Sequence, residues 1–198
     1  MFLAGAKKIK EQYKKWLQSP NFFYVVQDVT TPFQSIRTPV DIIYHAASPI
    51  SGAIINSSSV DIILPNIIGT RNCLDFMRCQ QEAFGIRGRV VIFSSATIYA
   101  NLTGNDRRVT ETDTETTFPL ESPAAPYFES KRLSEVLTSA YCRQYGIDAV
   151  IARLSYVYGY SYYPPDTAFY EFLKNAISGK HIVIKNSGIA KRDNIYNR

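Results

Sequence analysis

Four short segments of the chain, 22–26, 40–44, 89–93 and 149–154, carry largely continuous apolar side chains rather than an alternation of apolar and polar ones. That pattern belongs to strands buried on both faces, and it constrains the fold more than any other feature of the sequence. Each run ends in polar or small residues: Asp28, then His45-Ala46-Ala47-Ser48, then Ser94-Ser95, then the stretch from Leu154 toward Gly159. Helical periodicity fills the intervals. Ile63, Ile67, Thr70, Leu74 and Met77 step by four and three, with Pro65 expected in or near the first turn. A second helix is expected over about 126–145, with Leu133, Val136, Leu137, Ala140 and Tyr141 facing inward and Gly146 as its cap. Strands alternating with helices predict an α/β fold with a doubly wound parallel sheet. Ligands of such sheets bind outside the carboxyl ends of the strands, which gathers the polar run ends at one edge.

Outside this core, residues 6–18 read as a helix with Ile9, Tyr13, Trp16 and Leu17 on one stripe, stopped by Ser19-Pro20-Asn21. Residues 100–125 form a long polar loop, and a helix near 167–177 with a strand near 182–184 begins something new. The expected division is a partial first domain over 1–160 and the start of a second over 161–198. A composition of 45% hydrophobic and 20% charged residues excludes a mainly disordered chain. The net charge of +5 is concentrated: Lys7, Lys8, Lys10, Lys14 and Lys15 against Glu11 leave +4 in the first twenty residues and +1 elsewhere. A lysine-rich amphipathic helix is usually a solvated face, so no nucleic-acid partner is expected. Cys73, Cys79 and Cys142 fit neither a disulfide framework nor a zinc site, no metal is expected, and reduced thiols point to a cytoplasmic protein. The apolar run 62–68 is broken by Pro65 and Asn66, and no secretory signal or membrane span is expected.

The chemistry lies in a Tyr-x-x-x-Lys pair, which puts a phenol and an ammonium one helical turn apart on the same face. A phenol of pKa near 10 is a poor base at neutral pH, and a fixed cation beside it favours the phenolate. Two pairs are present, Tyr127/Lys131 and Tyr170/Lys174. Tyr127 opens a helix that follows the strand ending in Ser95, so all three residues can meet at the ligand edge. Ser95 can then hydrogen-bond the substrate hydroxyl whose proton Tyr127 takes. Tyr170 has no serine-bearing strand end before it and reads as ordinary helix surface.

The order of motifs resembles the NAD-dependent epimerase/dehydratase family, a nucleotide-sugar branch of the extended short-chain dehydrogenase/reductases. The matching stretches are Val25-Val26-Gln27-Asp28, Tyr44-His45-Ala46-Ala47-Ser48, Asn66-Ile67-Ile68-Gly69-Thr70, Phe93-Ser94-Ser95-Ala96-Thr97-Ile98-Tyr99, Tyr127-Phe128-Glu129-Ser130-Lys131-Arg132, and Ala152-Arg153-Leu154 through Val157-Tyr158-Gly159. The resemblance implies a Rossmann-like sheet, NAD as cofactor, a nucleotide-sugar substrate and a homodimer in the full-length form. It places Asp28 at the adenine end of the cofactor and the Ala46 and Ala47 backbone along its ribose and pyrophosphate. Asn66 would order the active-site region, and Ser95 and Tyr127 would act on the sugar hydroxyl. Lys131 would hold the nicotinamide ribose, and Tyr156 and Arg192 would meet the substrate.

Departures from the family narrow this. Ala96-Thr97 follows Ser95 where dehydratases carry acidic residues and decarboxylating relatives usually a glutamate, so an epimerase-like role fits better. Tyr156 stands where relatives often have asparagine. Family members also open with a strand and a Gly-x-x-Gly-x-x-Gly turn, whose backbone approaches the pyrophosphate. Only Gly5 precedes Gly52 here, so that turn is absent from these residues, and two missing strands are expected to leave a gap beside 22–26. The chain thus reads as a fragment that is inactive by itself. Competing with it are a non-catalytic remnant or interaction module of the same fold and, behind that, a basic nucleic-acid-binding surface.

Overall fold

The structure is a computed structural model and describes residues 2–5, 11–33, 36, 38–49, 59–102, 109–113, 118–160, 167–184 and 194–197. Two compact units divide at Arg153 and Leu154. In the first, β1 (Phe2–Gly5) and β2 (Phe23–Val26) pair in parallel, Phe2 opposite Phe23 and Gly5 opposite Val26. A second parallel sheet has the order β3 (Ile42–His45), β4 (Arg89–Ser95), β5 (Asp148–Leu154), with Ile42 opposite Arg89 and His45 opposite Ile92. The fold is α/β with parallel strands, as expected. One expectation fails: β1 pairs beside β2, so one of the two missing strands is supplied by residues 2–5. Four residues are too few for periodicity to register, and pairing with β2 is what makes them a strand. β1 and β3 are not hydrogen-bonded to each other among the described residues, so the two sheets are separate.

A 26-residue helix, α1 (Ser59–Phe84), covers one face of the second sheet. Cys73, Leu74 and Met77 pack on Val90 and Ile92 of β4 and on Ile147, with Ile43 and Ala149 at the margin. Buried Gln80 ties the helix to the entry of β3: its Nε2 donates to Val40 O at 3.1 Å, and its Oε1 accepts from Val40 N at 2.7 Å. Pro65 lies inside the helix, in its second turn rather than its first. The missing N–H there frees the carbonyl of exposed Asp61, which water can reach. Gly69 sits where α1 crosses His45 and Val29. A Cβ there would stand 2.9 Å from His45 Cε1 and 2.9 Å from Val29 Cγ2. Gly69→Ala is therefore expected to lower stability by about 1–3 kcal/mol in chemical denaturation, the usual cost of overpacking.

The second helix, α2 (Ala125–Tyr145), starts with Pro126 in its first turn and ends at Gly146. Gly146 takes a left-handed φ of 65°, and its N–H donates to Cys142 O, as the sequence predicts. Its buried face is the expected one only in part: Leu137 and Tyr141 pack against the core. Leu133 and Val136 are 46% and 56% exposed, whereas Ser130, Lys131, Ser134, Glu135 and Thr138 are buried. The small hydroxyl residues Ser130 and Ser134 let α2 approach α1 closely. Ser134 Oγ donates across to Asn66 O of α1 at 2.8 Å, and Thr138 Oγ1 donates within α2 to Ser134 O at 2.7 Å.

In the second unit, β6 (Tyr156–Gly159) and β7 (Asn194–Asn197) form a parallel pair, with α3 (Ala168–Ile177) between them in sequence. Residues 182–184 form no strand, and their side chains are exposed. A β-branched run without a pairing partner among the described residues has no ladder to join. Tyr170 is not ordinary helix surface either. Its hydroxyl donates to Gly159 O at 2.9 Å and accepts from Gly159 N at 3.2 Å, fastening α3 to β6.

Candidate active site

β4 delivers Ser94 and Ser95 at its carboxyl end, and the chain turns directly into a 3₁₀ segment, Ala96–Leu102. Ser95 Oγ accepts two hydrogen bonds from that turn, from Thr97 N at 3.2 Å and Thr97 Oγ1 at 2.8 Å. With both lone pairs engaged, the Ser95 hydroxyl has only its proton to offer, so it can donate to a substrate oxygen. Lys131 of α2 reaches the same strand end, donating from Nζ to Phe93 O at 2.6 Å. Its amine lies 6.0 Å from the Tyr127 ring centroid, one helical turn away. Burial pulls the Lys131 pKa down to about 8. Lys131 thus reaches the strand end that carries Ser95, and Tyr127 stands one helical turn from it on α2.

Asn66, 1% exposed, belongs to the same group. Its Nδ2 donates to Ser130 Oγ at 2.9 Å, and Ser130 Oγ donates to the Tyr127 carbonyl at 3.0 Å. α1 is in this way tied to the first turn of α2, the turn that carries Tyr127. Among the described residues, Asn66 Oδ1 is buried without a partner. His45, at the end of β3, is 6% exposed. Burial first, and then the Lys131 ammonium, push its pKa down to about 4, against a weaker opposing hydrogen bond to the Pro65 backbone. A histidine neutral in the fold and protonated when unfolded subtracts stability as pH falls from about 6.5 to about 4. The expected loss over that window is about 3 kcal/mol, and His45→Leu should flatten this part of a pH–stability curve followed by urea unfolding.

At the cofactor side, Asp28 is exposed at the end of β2. Hydrogen bonds from Thr30 N and Thr30 Oγ1, both 2.8 Å to Oδ1, lower its pKa and leave Oδ2 for a ligand. Ala46 and Ala47 are exposed just past β3, and Ser48 beside them has a buried hydroxyl without a partner among the described residues. Tyr156 lies in the second unit, and its hydroxyl donates to Thr167 Oγ1. Arg192 lies outside the described residues, as do Lys7, Lys8 and Lys10. The cofactor fits these residues in part. Lys131 suits the ribose end and Asp28 the adenine end, while the Gly-x-x-Gly-x-x-Gly turn between them is not among the 198 residues.

Glu135 and Arg153 join the site without having been singled out. Glu135 stands one turn beyond Lys131 on α2, so the four-residue stripe Tyr127, Lys131, Glu135 carried the signal. Among the described residues no His, Cys, Asp and Glu cluster could hold a metal ion, and no helix is long and apolar enough to cross a membrane.

Curated proteins similar to this chain include UDP-glucuronic acid decarboxylase 6 of Arabidopsis thaliana, 29% identical over 191 residues, covering 94% of this chain and 51% of that protein. Another is UDP-glucuronate 4-epimerase of Thermodesulfobacterium geofontis, 28% identical, covering 90% and 52%. The chain spans about half the length of the curated relatives it matches. Among solved structures, UDP-glucose 4-epimerase of Thermotoga maritima with UDP-glucose superposes at a TM-score of 0.72, with 21% identity over 98% of this chain and 60% of that one. UDP-glucuronic acid 4-epimerase of Bacillus cereus, in complex with UDP-glucuronic acid and NAD, superposes at 0.68, with 22% identity over 93% and 55%. At these identities the structures establish the fold. The family model for the NAD dependent epimerase/dehydratase family matches residues 23–198. With the parallel sheet and the Ser95, Tyr127 and Lys131 edge in place, the chain belongs to the NAD dependent epimerase/dehydratase family.

Proposed function

We propose that this chain carries the reactive residues of an enzyme that oxidises and re-reduces a hydroxyl of a nucleotide sugar, inverting a carbon rather than eliminating water or carbon dioxide. The observation that carries the reading is the engagement of Ser95 by Thr97, with Lys131 buried against the neighbouring Phe93 carbonyl. Tyr127 takes the sugar hydroxyl proton. Lys131, one turn away, has two further N–H groups for a ribose hydroxyl. Ser95 donates to the sugar oxygen throughout and keeps it in place. NAD, when bound, supplies the acceptor for the carbon-bound hydrogen. Ala96-Thr97 offers no carboxylate for elimination, and Thr97 is already committed to Ser95. This favours the epimerase among the relatives over the decarboxylases, and UDP-glucuronate is the first substrate to test.

The same reading takes in a cytoplasmic location, supported by the free thiols of Cys73, Cys79 and Cys142. It also takes in a homodimer, supported by the outward Leu133 and Val136 of α2. The non-catalytic remnant remains the rival, because the pyrophosphate turn is missing from these residues. The 198-residue chain is expected to bind NAD weakly, with no heat above background in calorimetry at low micromolar cofactor. A chimera with the family's opening strand, glycine turn and helix joined ahead of residue 1 is expected to bind NAD and convert UDP-glucuronate to its C4 epimer, followed by proton NMR. A pentose product would assign it to decarboxylation. NAD binding without any turnover would support the remnant.

A further inference from the structure

α2 grips the end of β4 at two places one turn apart. Lys131 holds Phe93 O, and Ser94 Oγ donates to Glu135 Oε1. Glu135 is 8% exposed, and its charge is met by Arg153, at the end of β5. Arg153 Nε and Nη2 reach the carboxylate at 3.1 and 2.8 Å. The other edge of the guanidinium turns elsewhere: Nη1 donates to the Tyr99 hydroxyl and, at 2.7 Å, to Glu111 O. Its central carbon stands 5.0 Å from the Tyr99 ring centroid. Tyr99 belongs to the 3₁₀ segment that starts one residue after Ser95 and contains Thr97. One side chain therefore links α2, the end of β4, the Ser95–Thr97 turn and the turn at Glu111.

Buried ion pairs are weak evidence for stability, since apolar replacements of similar volume often serve as well. What a charged, two-edged pair adds is a fixed geometry among three elements. We propose that Glu135 and Arg153 are positioning residues, a cross-brace that sets Tyr127 and Lys131 of α2 at the right height against Ser95 and Thr97. The proposal rests on the sugar-hydroxyl reading of those residues and names what holds them in register. It requires arginine at 153, because lysine has no second edge with which to hold Tyr99 and Glu111.

The experiment follows the 13Cε resonance of Lys131 through a pH titration of the lysine-labelled 198-residue chain, with thermal unfolding recorded on the same samples. Of the titratable groups beside Lys131, His45 changes charge near pH 4, outside the window, and the Tyr127 phenol is removed by carrying Tyr127→Phe in every sample. The paired variant Glu135→Met with Arg153→Met removes the brace at similar volume. It is expected to unfold cooperatively close to the parent, while the Lys131 midpoint rises by about one pH unit, a tenfold change in proton affinity, as water reaches the amine. Arg153→Lys, which keeps a cation beside Glu135, is expected to shift it in the same direction. A folded variant with an unmoved Lys131 midpoint overturns the proposal. Loss of folding in both variants overturns it too, because the pair would then hold the fold rather than the site. Turnover plays no part in the readout, so failure of the sugar-hydroxyl reading and failure of the brace are separately visible.

Discussion

Lys131→Met is expected to make the folded chain more stable at pH 7, by about 2 kcal/mol in urea unfolding. Lys131 is 6% exposed, and its pKa falls from 10.5 to about 8 on folding. That displacement corresponds to a penalty of about 3 kcal/mol for holding the charged amine in the fold. Loss of the hydrogen bond to Phe93 O offsets about 1 kcal/mol of the gain. The sign fixes the pH dependence. Below about pH 8 the amine is charged in both states and the penalty is complete. Between about 8 and 10.5 the folded amine gives up its proton first, so the parent gains stability with rising pH while the Met variant does not. The two stability curves should therefore converge toward pH 10.5. A Met variant less stable than the parent at pH 7 would mean that Lys131 is a structural cation. A stabilising loss of a buried charge is what a functional lysine leaves behind.

The strand ends were the legible part of this protein. Apolar runs closed by Asp28, by His45 to Ser48 and by Ser94-Ser95 mark parallel strands, but the expected burial on both faces fails for β2 and β3, where Phe23, Val26, Ile42 and Tyr44 are exposed. Tyr127 and Lys131 were legible because a spacing of four on a helix following the Ser95 strand has a chemical meaning. The buried face of α2 was legible only in part, at Leu137 and Tyr141. Leu133 and Val136 carry the apolar periodicity, yet the face that packs on α1 is built from Ser130, Ser134 and Thr138, whose hydroxyls are satisfied within helix backbone. Hydropathy treats those residues as outward-facing, and close helix contact reverses the choice. β1 was missed because four residues become a strand only through β2. Tyr170 was read as surface because its two bonds to Gly159 join residues eleven apart, beyond any local pattern. The roles of Glu135 and Arg153 depend on β4, β5 and α2 meeting, which no single segment declares.

Tyr127→Phe is expected to lower turnover of the NAD-binding chimera by about a thousandfold with cofactor affinity unchanged, since only the proton acceptor is lost. Tyr170→Phe serves as the internal comparison, because both tyrosines precede a lysine by four residues. Its two hydrogen bonds to Gly159 assign it to the second unit's framework. Removing that hydroxyl should cost about 1–2 kcal/mol of stability and leave turnover per folded molecule nearly intact. The decisive measurement is the rate of C4 inversion of UDP-glucuronate by the parent chimera and these two variants at saturating NAD. The account predicts near-complete loss for Tyr127→Phe and at most a twofold change, on the order of ordinary scatter, for Tyr170→Phe. Equal losses in both variants, or full activity in Tyr127→Phe, would contradict it.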